Sequence, residues 1–302
     1  METRNKYSPD SNEYNDTLRS TLEVLYTFVG QPVIERLREL NIREQSRVWW
    51  CPTSAFCALP LHAMGPIPSD GARKLYFSDL YIPSYTPTLS ALIQSQEPSV
   101  PTPNRTSLLL VGRPDDNLPG VWDEIRAIEA HLGDSIHKLV SKSATSYRVK
   151  KDLPGHPLLH LACHGNLETG KPFEAWFKLE GNDRLTLLDI VRSQLPSAEF
   201  AFLSACHSAE LTDKSIADEA LHLAAAMQYC GFRSVIGTLW AVVDEDGPEL
   251  TKTFYKSLAS SEGKKSPAYK RSARALSKAV QKLRQKREVS LERWVKFVHY
   301  GA

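Results

Sequence analysis

From Ser107 onward the chain repeats one pattern, a short run of mostly apolar residues followed by a stretch of helical period. SLLLVG (Ser107–Gly112), PLLHLAC (Pro157–Cys163), EFAFLSAC (Glu199–Cys206) and SVIGTLWAVV (Ser234–Val243) do not alternate between apolar and polar residues. Strands of that kind are covered on both faces, which is the condition of a parallel sheet between helices. PGVWDEIRAIEAHLG (Pro119–Gly133) has proline at its start and glycine at its end, as a helix does, and further helices are expected at 145–153, 188–195, 216–230, 247–260 and 266–286. Leu139–Val140 reads as another strand, 173–188 as a hairpin excursion and WVKFVHY as a terminal segment. The fold class is therefore α/β, with a mostly parallel sheet flanked by helices.

Upstream the pattern is less regular. Residues 1–16 are polar and read as a disordered tail. Residues 17–96 form an amino-terminal half of helices plus a β-hairpin. Apolar residues from Leu18 to Leu37 recur at helical spacing, with Gly30 and Pro32 dividing the segment into two helices, and RVWWCPTSAFCALPL (Arg47–Leu61) reads as two strands around a Pro-Thr-Ser turn. Residues 97–106, with three prolines, are the expected linker to a second half at 107–302.

Composition excludes several functions. No apolar run approaches the roughly 18 residues of a membrane span, and the first thirty residues lack the apolar centre of a signal peptide, so a cytosolic or nuclear protein is expected, with no membrane partner. Five cysteines, at 51, 57, 163, 206 and 230, without a CxxC pair, argue against a disulfide framework or a zinc site. The net charge of +2 argues against a dedicated nucleic-acid binder, although Lys252–Arg293 holds thirteen Lys/Arg against three Glu, the solvated face of two helices or a docking surface for an acidic partner.

In open α/β sheets functional groups gather at the carboxyl ends of strands. Two apolar runs end in reactive side chains, HLACHGN in His164 and FLSACHS in Cys206. A thiol attacks as thiolate, and an imidazole can take its proton and return it to a leaving amine. Gly165 allows close backbone approach and offers an unhindered N–H to an oxyanion. Cys163, neighbouring His164 on the same strand, points to the opposite face and reads as core. His160 and His62 read as structural, and Cys51, Cys57 and Cys230 as core. LLLVGRPDDNLPG lacks both GxGxxG and GxxxxGK[ST], so a phosphate cradle is not expected. Asp244, Glu245 and Asp246 read either as a helix start or as part of a substrate pocket.

HLACHG, FLSACHSAE, DEALHLAAAM and GFRSVIGTLWAVVDED together resemble the CHAT domain, a branch of the caspase-like cysteine peptidases that includes separase and metacaspases. WWCPTSAFCALPLHAMGP and SDLYIPSYTPTLSAL resemble the amino-terminal half of CHAT domains, especially those of fungi, and ERWVKFVHYG their carboxyl end, so the resemblance spans 17–302. It implies a caspase-like sandwich with a diverged amino-terminal half, His164 as general base, Cys206 as nucleophile, and the N–H groups of Gly165 and Cys206 as the oxyanion hole. Leu239–Asp244 resembles the Leu-Trp-Asp-Val-Thr-Asp segment of separases, which cut after arginine, and implies substrate binding by Asp244, Trp240 and Ser204 with Arg or Lys at P1. The implied activity is that of a cysteine endopeptidase acting on specific proteins in signalling or cell death. It needs no metal or organic cofactor. CHAT domains often follow helical repeats, and none precedes residue 17, so a helical-repeat sensor on another chain is an expected partner beside the protein substrate. The alternative is a catalytically silent CHAT module acting as a regulatory scaffold.

Overall fold

The computed structural model of the chain describes residues 11–66, 75–97, 106–115, 118–166, 174–204, 206–207, 226–240, 242, 244–260 and 267–302, with the backbone alone for 206 and 207. Helix α1 (Asn12–Leu25) starts where the Ser11 hydroxyl accepts the Tyr14 N–H. The expected tail at 1–16 is thus too long: Tyr14 and Asn15 are buried, and Asn15 Oδ1 accepts the Glu292 N–H at 2.9 Å. Residues 1–10 lie outside the described residues.

Gly30 and Pro32 do not break the next segment. A π-helical turn, Tyr26–Gly30, joins α1 directly to α2 (Gln31–Glu39), and the Gln31 N–H reaches back to the Tyr26 carbonyl. The five-residue spacing of that turn absorbs the register change, and Pro32 falls in the first turn of α2, where no N–H is required of it.

The hairpin expected at 47–61 is not formed. Strand β1 (Arg47–Trp50) is followed by Ser54 at φ +53° and a 3-10 turn at Ser54–Ala58, and its partner is β2 (Ile82–Tyr85), which runs parallel to it. Pro52 and Pro60 bracket the segment that would have returned, and proline gives no donor to a ladder. The intervening thirty or so residues suffice for the crossover that a parallel pair needs. β1 is held by Arg47 Nη2 donating to Ser84 Oγ (2.6 Å) and Trp49 Nε1 donating to the Gly301 carbonyl (2.8 Å).

The chain continues through α3 (Leu89–Gln96), β3 (Leu108–Gly112), α4 (Val121–Leu132), β4 (Ile136–Val140), α5 (Ser146–Asp152), β5 (Leu158–Ala162), β6 (His164–Asn166), β7 (Trp176–Lys178), β8 (Arg184–Thr186) and α6 (Leu187–Arg192). It ends through β9 (Phe200–Leu203), β10 (Cys206–His207), β11 (Ser234–Thr238), α7 (Asp246–Leu258), α8 (Ala268–Arg284) and β12 (Phe297–Gly301). The expected linker lies mostly outside the described residues, as does the helix expected at 216–230 up to residue 225. The last apolar run leaves the sheet after Thr238, five residues before its expected end at Val243.

Eight strands form one sheet in the order β1-β2-β12-β11-β9-β5-β3-β4, parallel throughout except between β11 and β12. The strands of the amino-terminal half therefore extend the same sheet rather than building one of their own. Every residue of β3, β5, β9 and β11 is buried, as expected of strands covered on both faces, with His160, Ser234 and Thr238 the polar exceptions within them. Helix α7 packs between α4 and α8, and Phe254 fixes it to β9 through ring contacts with Phe200 (5.6 Å) and Phe202 (5.2 Å). From β3 the chain moves outward to β4 and then returns to β5 on the other side of β3. That reversal places a topological switch point between β3 and β5, where such sheets open a crevice at the strands' carboxyl ends.

Candidate active site

Both strands singled out by their reactive ends leave the main sheet at those ends. β5 stops at Ala162, Cys163 is fully buried, and the chain re-forms as β6; β9 stops at Leu203 and re-forms as β10. The re-formed strands belong to a second sheet, in the order β10-β6-β7-β8. There β10 runs parallel to β6 with Cys206 opposite His164 and His207 opposite Gly165. Adjacent strands lie about 4.8 Å apart, so the backbone brings the candidate thiol residue and the candidate base side by side. Gly165 is flanked by β10 on one side and by Phe177 of β7 on the other.

His164 Nε2 lies 3.3 Å from Asp115 Oδ1, and the other oxygen of Asp115 pairs with Arg113. Asp115 is not among the residues expected from sequence. Its signal was present, because SLLLVG is also an apolar run and Asp115 follows its end by three residues. β3 and β5 flank the switch point, so groups leaving their carboxyl ends meet there. With Nε2–H donated to Asp115, Nδ1 is left as the basic nitrogen of the ring, and the carboxylate orients the imidazole.

The expected substrate-binding residues are placed differently from one another. Asp244 Oδ2 accepts the Gly120 N–H (2.7 Å), so its carboxylate sits at the start of α4 rather than capping the helix that follows it. Burial, with Glu124, Asp123 and Glu245 nearby, raises its carboxyl above the usual range, against the lowering effect of the Gly120 bond. Trp240 is only 6 % exposed and belongs to the main core, so its ring is not spread on an open surface. The Ser204 hydroxyl, which is half-buried, donates to Glu124 Oε1 (2.6 Å).

Among the other candidates, Cys57, Cys163 and Cys230 are buried, and burial pushes the Cys230 thiol up to about 12. Cys51 is exposed rather than core, because β1 ends before it and no return strand covers it. His62 and His160 are buried and bonded to Tyr85 and Tyr255 respectively, consistent with structural roles. Among the described residues no group of His, Cys, Asp and Glu could hold a metal ion, and no helix is long and apolar enough to cross a membrane.

The family model of the CHAT domain matches residues 19–302. The chain belongs to the CHAT domain family. Solved structures share the fold at low identity. The Arg-specific cysteine proteinase gingipain R matches 99 % of this CHAT chain and 69 % of its own at 11 % identity and a TM-score of 0.54. The complex of Porphyromonas gingivalis RgpB pro- and mature domains matches 99 % and 70 % at 10 % identity and 0.54. Separase in the Saccharomyces cerevisiae separase–securin complex matches 84 % of the chain but 15 % of its own, at 17 % identity and 0.53. No curated protein sequence matches. The CHAT chain thus has a caspase-like peptidase fold, a mostly parallel α/β sheet flanked by helices, similar to those of the cysteine proteinase gingipain R and of separase.

Proposed function

We propose that the chain is a cysteine endopeptidase in which Cys206 attacks the scissile carbonyl and His164 moves the proton. The register of Cys206 opposite His164 on adjacent parallel strands carries this reading. His164 Nδ1 takes the thiol proton, the thiolate adds to the carbonyl carbon, and the protonated imidazole passes that proton to the leaving amine as the C–N bond breaks. Water, deprotonated by the same nitrogen, then hydrolyses the thioester and releases the thiol. The Gly165 and Cys206 N–H groups serve as oxyanion donors. Asp115 holds the ring through its Nε2. No metal or organic cofactor takes part. The substrates are specific proteins in signalling or cell-death control, the setting is the cytosol or nucleus, and a helical-repeat protein on another chain acts as sensor.

Asp115→Asn tests the orienting role. It should lower kcat by about 10- to 100-fold, less than loss of the dyad, because a partly exposed 3.3 Å contact orients less firmly than a buried one. Unchanged kcat would show that His164 needs no such partner.

Asp244 supports a preference for Arg or Lys at P1, since a carboxylate held at one oxygen by Gly120 can pair a cation through the other. A peptide library should show a basic P1, and Asp244→Asn should remove most of that preference while Cys206 still reacts with thiol probes. An apolar P1 indifferent to the substitution would discard this reading.

Stability should move the other way. A carboxyl whose pKa is raised on folding is penalised once ionised, so that at pH 7 the folded state bears the whole penalty, which fades as pH falls through the raised pKa and is gone below the ordinary Asp value. Asp244→Asn should therefore melt at or above the wild-type temperature at pH 7, with the difference vanishing in acid. Lower melting at pH 7 would contradict the direction of the shift.

A further inference from the structure

Beneath the two strand exits lies a buried polar chain that the peptidase chemistry leaves unused. Glu124, on α4, is 3 % exposed. Its Oε1 accepts the Ser204 hydroxyl at 2.6 Å and its Oε2 lies 3.3 Å from His160 Nε2, while His160 Nδ1 lies 3.0 Å from the Tyr255 hydroxyl. Every contact is satisfied when Tyr255 donates to His160 Nδ1, His160 Nε2–H donates to Glu124, and Ser204 donates to the other carboxylate oxygen. Burial and the Glu124 charge keep the Tyr255 hydroxyl protonated, as that arrangement needs. The carboxylate also has no spare room, because a Cβ on Gly247 would come within 2.3 Å of Oε1.

The donors sit at telling places. His160 is on β5, four residues before His164, and Ser204 follows β9, two residues before Cys206. Gly247 and Tyr255 are on α7, directly after the Asp244 loop. Past Leu203 the β9 exit has left the main sheet, and it is pinned by the Ser204 N–H to the Leu161 carbonyl (2.9 Å) and by the Ser204 hydroxyl to Glu124. An apolar filling would be easier to bury than a carboxylate, which needs each donor in place to offset its lost hydration. What the carboxylate adds is direction, since its two oxygens fix two strands relative to one helix.

We propose that Glu124, acting through Ser204 and His160, is a positioning residue that holds the exits of β5 and β9 so that Cys206 and His164 stay in register. This rests on the peptidase reading for its catalytic meaning and assigns Ser204 to the clamp rather than to substrate.

The test is hydrogen exchange of the backbone amides at 164–166 and 204–207 in wild type, Ser204→Ala, Ser204→Thr and Glu124→Gln, alongside melting temperature and iodoacetamide labelling of Cys206. Ser204→Ala should melt somewhat below wild type, because Glu124 loses a donor, and its exchange should quicken about 10- to 100-fold in those two segments above all, as expected for loss of one hydrogen bond to a buried charge. Cys206 labelling should fall by a comparable factor, because small displacements of reacting groups are expensive. Ser204→Thr, which keeps the hydroxyl, should restore both, and Glu124→Gln, which keeps an acceptor for Ser204, should fall between. Unchanged exchange in Ser204→Ala, or faster exchange spread evenly over the molecule, overturns the clamp. A wild-type Cys206 that labels no faster than exposed Cys51 instead overturns the peptidase reading.

Discussion

Alanine in place of His164 or Cys206 should abolish turnover on peptide substrates, a loss of about three orders of magnitude or more, with the double variant scarcely worse than either single one. The reason is that the two residues make one device. Without the imidazole the thiol keeps its proton, and without the thiol the imidazole has nothing to activate. A small multiplicative loss from each substitution would mean that the residues act independently, which strands paired Cys206 to His164 do not suggest. His164→Ala should retain wild-type melting, since His164 is partly exposed and its partner Asp115 keeps Arg113. Thiol reagents should modify Cys206 well before Cys163 or Cys230, both of which are buried.

The largest loss of stability is expected at Arg293. Its guanidinium makes two parallel hydrogen bonds to Asp246, Nε to Oδ2 at 2.9 Å and Nη2 to Oδ1 at 2.7 Å, and Asp246 is 2 % exposed. Arg293→Ala leaves that carboxylate buried without its cation, and should cost about 3–5 kcal/mol in urea unfolding. Removing the charge as well, in Arg293→Met with Asp246→Asn, should recover most of the loss, because the penalty comes from the stranded charge rather than from the missing bonds. Asp246 opens α7, the helix that carries Gly247 and Tyr255 beneath the site, so activity should fall with stability in the single variant and return in the double. A single-variant loss under about 1 kcal/mol would show that water reaches Asp246.

The central strands were legible because parallel strands are covered on both faces. Leu108–Gly112 and Phe200–Leu203 had to read as unbroken apolar runs and Leu158–Ala162 as one interrupted only by His160, and a residue such as His164 at the end of one had to mark a strand exit. Register between distant segments was not legible. Arg47–Trp50 has the composition of a hairpin arm, and its parallel partner Ile82–Tyr85 is set by contacts with the far carboxyl end, including Trp49 on the Gly301 carbonyl. The turn at Tyr26–Gly30 could not be foreseen from Gly30 and Pro32 alone, since either a break or a π turn accommodates them.

At the site the sequence showed groups that leave strands and hid groups that reach them from elsewhere. His164 and Cys206 sit on their strands, and Asp115 was visible by the same rule but lay three residues beyond its strand in a string read only for phosphate motifs. Glu124 occupies the first turn of α4, where an acidic side chain ordinarily favours the helix dipole and faces water. Helical spacing sets it apart from Asp123, which faces water, by placing it on the buried face with Val121, Ile125 and Ile128; what the sequence hid is the approach of Ser204 and His160 from other elements.

The most direct measurement of the peptidase claim is to incubate the purified chain with a proteome and read new amino termini by mass spectrometry, with Cys206→Ala as control and Cys206 labelling followed in parallel. The expected result is a small set of new termini that share one P1 residue, absent with Cys206→Ala, from a protein whose Cys206 labels faster than exposed Cys51. New termini identical in the two proteins, or none at all from a chain whose Cys206 labels no faster than Cys51, would contradict it.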